Sequence, residues 1–254
     1  MLRSLDDLRG YKLHATDGEL GGLNDLLFDD VTWRVRYFVA DTGGWLTGRR
    51  VLLSPESIRQ AAWPSKQISV ALTKEQIRNS PPVETEAPFS RQQELAMVEY
   101  YGWPSYWAGP NLGPMAIAPI VAPATDVERA SAVERGVGVM IGEEPDTHLR
   151  SLQEVRGYHI AANDGMIGHL TDLVVEDEDW TIRYLVVDTR NWIPGRKVLV
   201  APCWAQAFNW QQREIRVDLT REQVKNSPTY DPAAPVNRAY EVKLYDYYGR
   251  PSYW

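Results

Sequence analysis

The feature that most constrains this chain is an internal duplication. Leu2-Arg-Ser-Leu5 recurs as Leu149-Arg-Ser-Leu152, and the offset of 147 positions (2 to 149) holds without a gap as far as Trp107 and Trp254. About 45% of the aligned pairs are identical, far above the level of unrelated segments. Any architecture assigned to one copy must therefore serve the other. A single doubling also argues against a many-repeat solenoid and for two small domains. The first unit covers residues 1–107, with a β-structured body over about 1–82 and a helix with an aromatic tail over 83–107. The second covers 148–254, with its body over about 148–229 and its helix and tail over 230–254. Residues 108–147 between them are rich in Pro, Ala and Gly, as in Ala108-Gly-Pro-Asn-Leu-Gly-Pro114 and Ile117-Ala-Pro-Ile-Val-Ala-Pro123. That composition predicts an extended linker, with room for a short helix at Asp126–Arg135.

Each unit reads as a set of strands around Trp33-Arg-Val-Arg-Tyr-Phe-Val-Ala-Asp41 or its copy Trp180-Thr-Ile-Arg-Tyr-Leu-Val-Val-Asp188. Trp33, Val35, Tyr37 and Val39 alternate onto one face, and Phe38 and Ala40 make the other face apolar toward the end. A first strand is predicted over Leu8–Ala15, closed by Asp17-Gly18, whose counterpart is Asp164-Gly165; this dipeptide supplies the positive φ of a tight turn. Leu20–Phe28 is the second strand. An acidic tip follows, Asp29-Asp30 in one copy and Glu176-Asp-Glu-Asp179 in the other. After the central strand come Trp45 or Trp192, then a strand over Gly48–Leu53 or Gly195–Val200, stopped by Pro55 or Pro202. The last strand is Gln67–Leu72, matched by the alternating Ile215, Val217 and Leu219. Thr73 with Gln76, and Thr220 with Gln223, predict capping boxes that open short helices, ended by Pro81 and Pro228.

The tail of each unit departs from sheet logic. Ser90 predicts a helix through Leu95 and Val98 to Tyr101, with Gly102 as its C-terminal cap. Beyond it stand Tyr100, Tyr101, Trp103, Tyr106 and Trp107; the second tail offers Tyr247, Tyr248, Tyr253 and Trp254. Burying one such ring is worth about 1.5–3 kcal/mol, so both tails are expected to dock. These nine aromatic residues are the candidate interaction surface. Two arrangements suit them: each tail covers its own body, or each covers the opposite one in an internal pseudo-dimer.

Chemistry is harder to find. Asp41-Thr42-Gly43 after an apolar strand has the form used by aspartic proteases, with Asp188-Thr189 as its partner in the second copy. A proton-sharing dyad needs two carboxylates about 3 Å apart, and Arg190 replaces the second glycine, which would keep both ionised. The preferred reading is an Asx turn. His14, His148, His159 and His169 lack metal-site spacing, and none matches a histidine in the other copy. The acidic tip Glu176–Asp179 lacks the glycine and twelfth-position glutamate of a calcium loop, so a solvated hairpin end is expected. Cys203 replaces Glu56 and has no histidine-rich neighbourhood. No catalytic, cofactor-binding or metal-binding residues are assigned.

Composition sets the remaining bounds. Net charge is −7 over 254 residues, with a pI near 5.2, which disfavours direct nucleic-acid binding. One cysteine excludes an internal disulfide and suits a reducing compartment. The N-terminus lacks the apolar run of a signal peptide. Met115–Ala124 is about half of the ~20 residues a membrane span needs. A cytoplasmic protein without a membrane span is expected.

The order of these signals is similar to that of the PRC-barrel family. The residues that carry the likeness are Gly10, Asp17-Gly18, Gly21, Asp25, Trp33, Arg36-Tyr37, Val39, Asp41, Gly48-Arg49 and Val51–Leu53. Their counterparts are Gly157, Asp164-Gly165, Gly168, Asp172, Trp180, Arg183-Tyr184, Val186, Asp188, Gly195-Arg196 and Val198–Val200. The family includes the cytoplasmic domain of the photosynthetic reaction-centre H subunit and the C-terminal domain of a ribosome-maturation factor. The resemblance covers roughly 80 residues of each copy, not the linker or the aromatic tails, and implies two small PRC-type β-barrels; with the short helix and aromatic tail read above for each, the expected fold is mainly β. The resemblance also implies a non-enzymatic interaction or assembly role, through another protein or self-association. By analogy the partner could be a ribonucleoprotein or a photosynthetic or electron-transfer membrane complex. The H subunits' membrane helix and the maturation factors' RNA-associated domain have no counterpart here. Quinone protonation and RNA contact are therefore not carried over.

Overall fold

Each copy builds a mixed sheet, and each sheet takes one of its seven strands from the other copy. The computed structural model describes residues 1–46, 48–82, 90–106, 148–189 and 196–254. In the first copy the order is β1 (Leu2–Ser4), α1 (Leu5–Leu8), β2 (Lys12–Ala15), β3 (Gly18–Asp29), β4 (Val35–Asp41), β5 (Arg50–Leu53), β6 (Ile58–Ala62), β7 (Gln67–Val70) and α2 (Lys74–Arg78). A separate helix, α3 (Arg91–Tyr101), follows. The second copy continues with β8 (Leu149–Ser151), α4 (Leu152–Val155), β9 (His159–Ala162), β10 (Gly165–Glu176), β11 (Ile182–Asp188), β12 (Lys197–Val200), β13 (Ala205–Asn209), β14 (Glu214–Val217), α5 (Arg221–Asn226) and α6 (Arg238–Tyr248). Residues Met1–Thr85 and His148–Trp254 form one unit, and Glu86–Thr147 another.

One sheet runs β5-β4-β3-β2-β7-β6, with β8 on β3; the other runs β12-β11-β10-β9-β14-β13, with β1 on β10. All pairings are antiparallel except β2 with β7 and β9 with β14. The exchange follows from the length of β3 and β10. The early part of β10 pairs with β9, and Val174–Glu176 then pairs with Ser4–Leu2 of the first copy. Likewise Leu27–Asp29 of β3 pairs with Ser151–Leu149. The chain is thus mainly β, with two seven-stranded mixed sheets, and among the described residues no pairing joins β5 to β6 or β12 to β13.

Local chemistry accounts for the departures from the sequence reading. The strand expected from Leu8 is β2 and begins at Lys12, because Ser4 caps a helical turn over Leu5–Leu8, accepting from the Asp7 amide. Trp33 and Trp180 do not lie on the strand face; both have positive φ, 57° and 58°. They turn the chain so that the Val35 amide donates to the Trp180 carbonyl at 2.9 Å and the Ile182 amide to the Trp33 carbonyl at 2.7 Å. The two central strands thus meet about a local two-fold. Strands β6 and β13 lack alternation at the level of sequence: Ile58-Arg-Gln-Ala-Ala62 offers one strong apolar residue, and bulges shift its register. The capping boxes at Thr73 and Thr220 form as read.

Gly21 and Gly168 serve close approach. A Cβ on either would lie 1.9 or 2.1 Å from the carbonyl oxygen of Asp41 or Asp188, and both have the positive φ open to glycine. The core is apolar and continuous through the exchange: Leu5, Leu8, Leu13, Leu152 and Ile160 are fully buried. No described helix is long and apolar enough to cross a membrane. In the separate unit, α3 carries a capping box at Ser90, ends at Gly102 in the left-handed region, and pairs Arg91 with Glu94 at 2.6 Å. The linker helix over Asp126–Arg135 lies outside the described residues.

Candidate functional site

The polar residues repeated in both copies converge on the exchanged strands. Ser4 does two jobs: its hydroxyl oxygen accepts from the Asp7 amide and its proton goes to the Asp172 carboxylate of the other copy. Asp172 also accepts from the amides of Asp6 at 3.0 Å and Leu173 at 2.8 Å. In mirror fashion the Ser151 hydroxyl donates to Asp25, which also accepts from the Leu26 amide at 2.8 Å. Both carboxyls are buried, at 7% and 6% exposure for Asp25 and Asp172. Burial raises each above the usual carboxylate range. For Asp25 the nearby Arg9 and the Ser151 hydroxyl work against the rise. For Asp172 the Asp6 carboxylate adds to it, and its value reaches about 6.

The acidic tips are the second anchor. The tip at Glu176–Asp179, expected as a solvated hairpin end, keeps Glu178 exposed but turns Asp177 onto the incoming strand. The Met1 amino group and Arg3 Nε both pair with Asp177, the latter at 2.6 Å, while the Arg3 guanidinium lies 3.7 Å over the Trp63 ring. Arg150 Nε pairs with Asp30 at 3.1 Å and lies 4.6 Å over Trp210. Each arginine thus ties its own copy's tryptophan to the other copy's carboxylate. Trp33 packs on Phe208, and Trp180 packs on Phe38, so the aromatic contacts cross the two copies as well.

The second aromatic tail docks on its own copy rather than the opposite one. Glu241 of α6 is 2% exposed. It accepts from Tyr184 and Tyr253, each at 2.7 Å, and pairs with Arg238 at 3.1 Å. Tyr184 is pushed well above the ordinary phenol range by burial and by that carboxylate. Tyr248 packs on Trp204 at 4.9 Å, and Trp254 meets Tyr245 edge-on at 5.1 Å. Of the four candidates here, Tyr248 is buried, Tyr253 is half-buried, and Tyr247 and Trp254 remain 39% and 47% exposed. Tyr247 and exposed Val242 border an open groove of 730 Å³ with Ser227, Pro228, Ala239 and Lys243. In the other unit Tyr100 is 41% exposed, Tyr101 stacks on Trp103 at 4.2 Å, and Arg91 lies 5.8 Å over Tyr106. Trp107 lies outside the described residues. The glutamates at the heart of the tails, Glu94 and Glu241, are absent from the sequence reading. Their signal was present as Arg91-x-x-Glu94 and Arg238-x-x-Glu241, identical in both copies.

The carboxylate dyad weighed above against an Asx turn does not assemble. The central strands meet antiparallel at Arg34 and Thr181 and run apart from there. At about 3.3 Å per residue, the seven residues onward to Asp41 and to Asp188 carry them roughly 20 Å in opposite directions. Asp41 instead accepts from the Gly43 amide at 3.0 Å, an Asx turn, and Thr42 and Thr189 donate to the carbonyls of Arg49 and Arg196. Arg190 lies outside the described residues. Among the described residues no three His, Cys, Asp or Glu side chains gather as a metal centre. The histidines are not all isolated, however: His159 and His169 face each other across strands with ring centroids 4.7 Å apart. Cys203 is exposed. A scan against protein-family models finds no match to this chain, and a search of curated proteins finds none.

Proposed function

We propose that the chain is a non-enzymatic, cytoplasmic assembly module of the PRC-barrel type, whose partner is another protein or a second copy. The observation that carries this reading is a matched pair of exposed apolar residues. Leu95 and Tyr100 on α3, and their counterparts Val242 and Tyr247 on α6, are between 39% and 48% exposed. The copies differ at more than half of their aligned positions, yet both keep a branched aliphatic residue and a tyrosine, five apart, facing water. Tyrosine is enriched at protein interfaces because it offers a large ring at low entropic cost. The internal polar groups support the same reading, since Ser4, Asp25, Ser151, Asp172 and Glu241 are all spent on holding strands and tails in place.

The test is site-specific photocrosslinking from position 242 in the source cell, beside a Tyr247→Ser, Leu95→Ser chain of unchanged melting temperature. The reading requires a discrete crosslinked protein that the variant loses. A chain that remains monomeric by light scattering and yields the same crosslinks in both forms overturns it.

A further inference from the structure

Two histidines, His159 and His169, face each other across β9 and β10. His159 and His169 are direct register partners in the antiparallel pair, so their side chains leave the same face. Their ring centroids are 4.7 Å apart at 50°. The register extends on both sides: His159 is also opposite Glu214 of β14, and His169 opposite Asp188 of β11. A row Glu214–His159–His169–Asp188 therefore crosses four adjacent strands. The corresponding row of the first copy is Gln67–Lys12–Gly22–Asp41, without a single imidazole. The two rows share one register, and the imidazoles stand in the second copy's alone.

The backbone under this pair is fixed. His169 follows Gly168, whose positive φ and close approach to the Asp188 carbonyl allow no other residue type without distortion. A β-bulge between Met166 and Gly168 resets the register just before the histidine meets His159.

We propose that His159 and His169 form a two-imidazole site for a borderline divalent transition-metal ion, with water completing its shell. Paired imidazoles favour Cu²⁺ over Ni²⁺ and Zn²⁺ and do not suit Ca²⁺ or Mg²⁺, which take oxygen ligands. With two nitrogen donors from the protein, the ion keeps open positions that a partner's side chain or a small ligand can fill. The site is independent of the assembly reading, and either can fail without the other.

The experiment is calorimetric titration of the untagged 254-residue chain with CuCl₂, NiCl₂, ZnCl₂ and, as a control, CaCl₂, with electron paramagnetic resonance on the copper-loaded form. One Cu²⁺ per chain is expected, bound more tightly than Ni²⁺ or Zn²⁺, with hyperfine coupling from two imidazole nitrogens and no heat from Ca²⁺. His159→Gln and His169→Gln should each weaken Cu²⁺ by at least about tenfold without moving the metal-free melting temperature, whereas His14→Gln and His148→Gln should leave Cu²⁺ affinity unchanged. The proposal is overturned by no Cu²⁺ binding, by binding that survives either of the first two substitutions, or by a spectrum without two imidazole nitrogens.

Discussion

The two clasps that hold the exchanged strands share a plan and differ in charge. At one, the incoming Ser151 and its following turn meet Asp25 in the presence of Arg9; at the other, Ser4 and its turn meet Asp172 in the presence of Asp6. The difference traces to one position of the repeat. Asp6 corresponds to Gln153, so only the strand entering the second copy brings its own carboxylate to the clasp. Arg156, the counterpart of Arg9, is drawn to Asp6. A duplicated scaffold can thus keep its geometry while its two copies respond differently to pH.

The largest way to break the symmetry is through the core. Leu5→Ala and Leu152→Ala each empty a fully buried site at an exchanged turn and should cost about 2–5 kcal/mol. Because the turn after each exchanged strand lies against the opposite sheet, scanning calorimetry should show one cooperative transition, lowered as a whole, for either variant. Two separate transitions would show that the strands are not exchanged in solution.

Removing a clasp comes next. Asp25→Ala and Asp172→Ala leave a serine hydroxyl and buried amides without their acceptor, a loss of about 1–3 kcal/mol each by urea denaturation. Equal losses at pH 5 and at pH 7.5 would contradict the charge difference between the clasps.

A pH scan sharpens the comparison further. The Asp172 carboxyl is raised from 3.8 to about 6 in the folded chain, chiefly by burial. A raised folded value means a contribution that is full below the unfolded value and is lost as pH climbs through about 6. Between pH 7.5 and pH 5 the wild-type chain should therefore gain about 1 kcal/mol relative to Asp172→Asn. The smallest effect belongs to the arginines. Arg3→Ala and Arg150→Ala should each cost roughly 0.5–1 kcal/mol, from an ion pair and a cation–π contact at partly exposed sites. Added salt should reduce the difference from wild type.

Much of this scaffold could be read from residue order. The capping boxes at Thr73 and Thr220, the tail helix from Ser90 to Gly102, and the central strands are local events, written in adjacent residues. The exchange was not legible. Leu2-Arg-Ser-Leu5 is too short to declare a strand, and its partner residues stand some 170 positions away, at Asp172 and Asp177. The tryptophans misled because alternation placed Trp33 and Trp180 on a strand face, whereas their positive φ is set by the meeting of the two copies. Among the candidate aromatics, sequence could name the cluster but not divide it. Tyr248 turns inward on Trp204 while Tyr247 beside it stays exposed, a split set by helix phase against the sheet. The facing of His159 and His169 depends on a bulge that no spacing rule announces.

The reciprocal seating of β1 and β8 has a thermodynamic corollary. The same two-fold contact between separate polypeptides would obey mass action and loosen on dilution. Here both contributors belong to one covalent molecule, so the melting point of the paired sheets should not vary with dilution. Tethering also ties the two copies' fates genetically: a change at Ser4 is felt at Asp172 in the other repeat as well as at the Asp7 amide in its own.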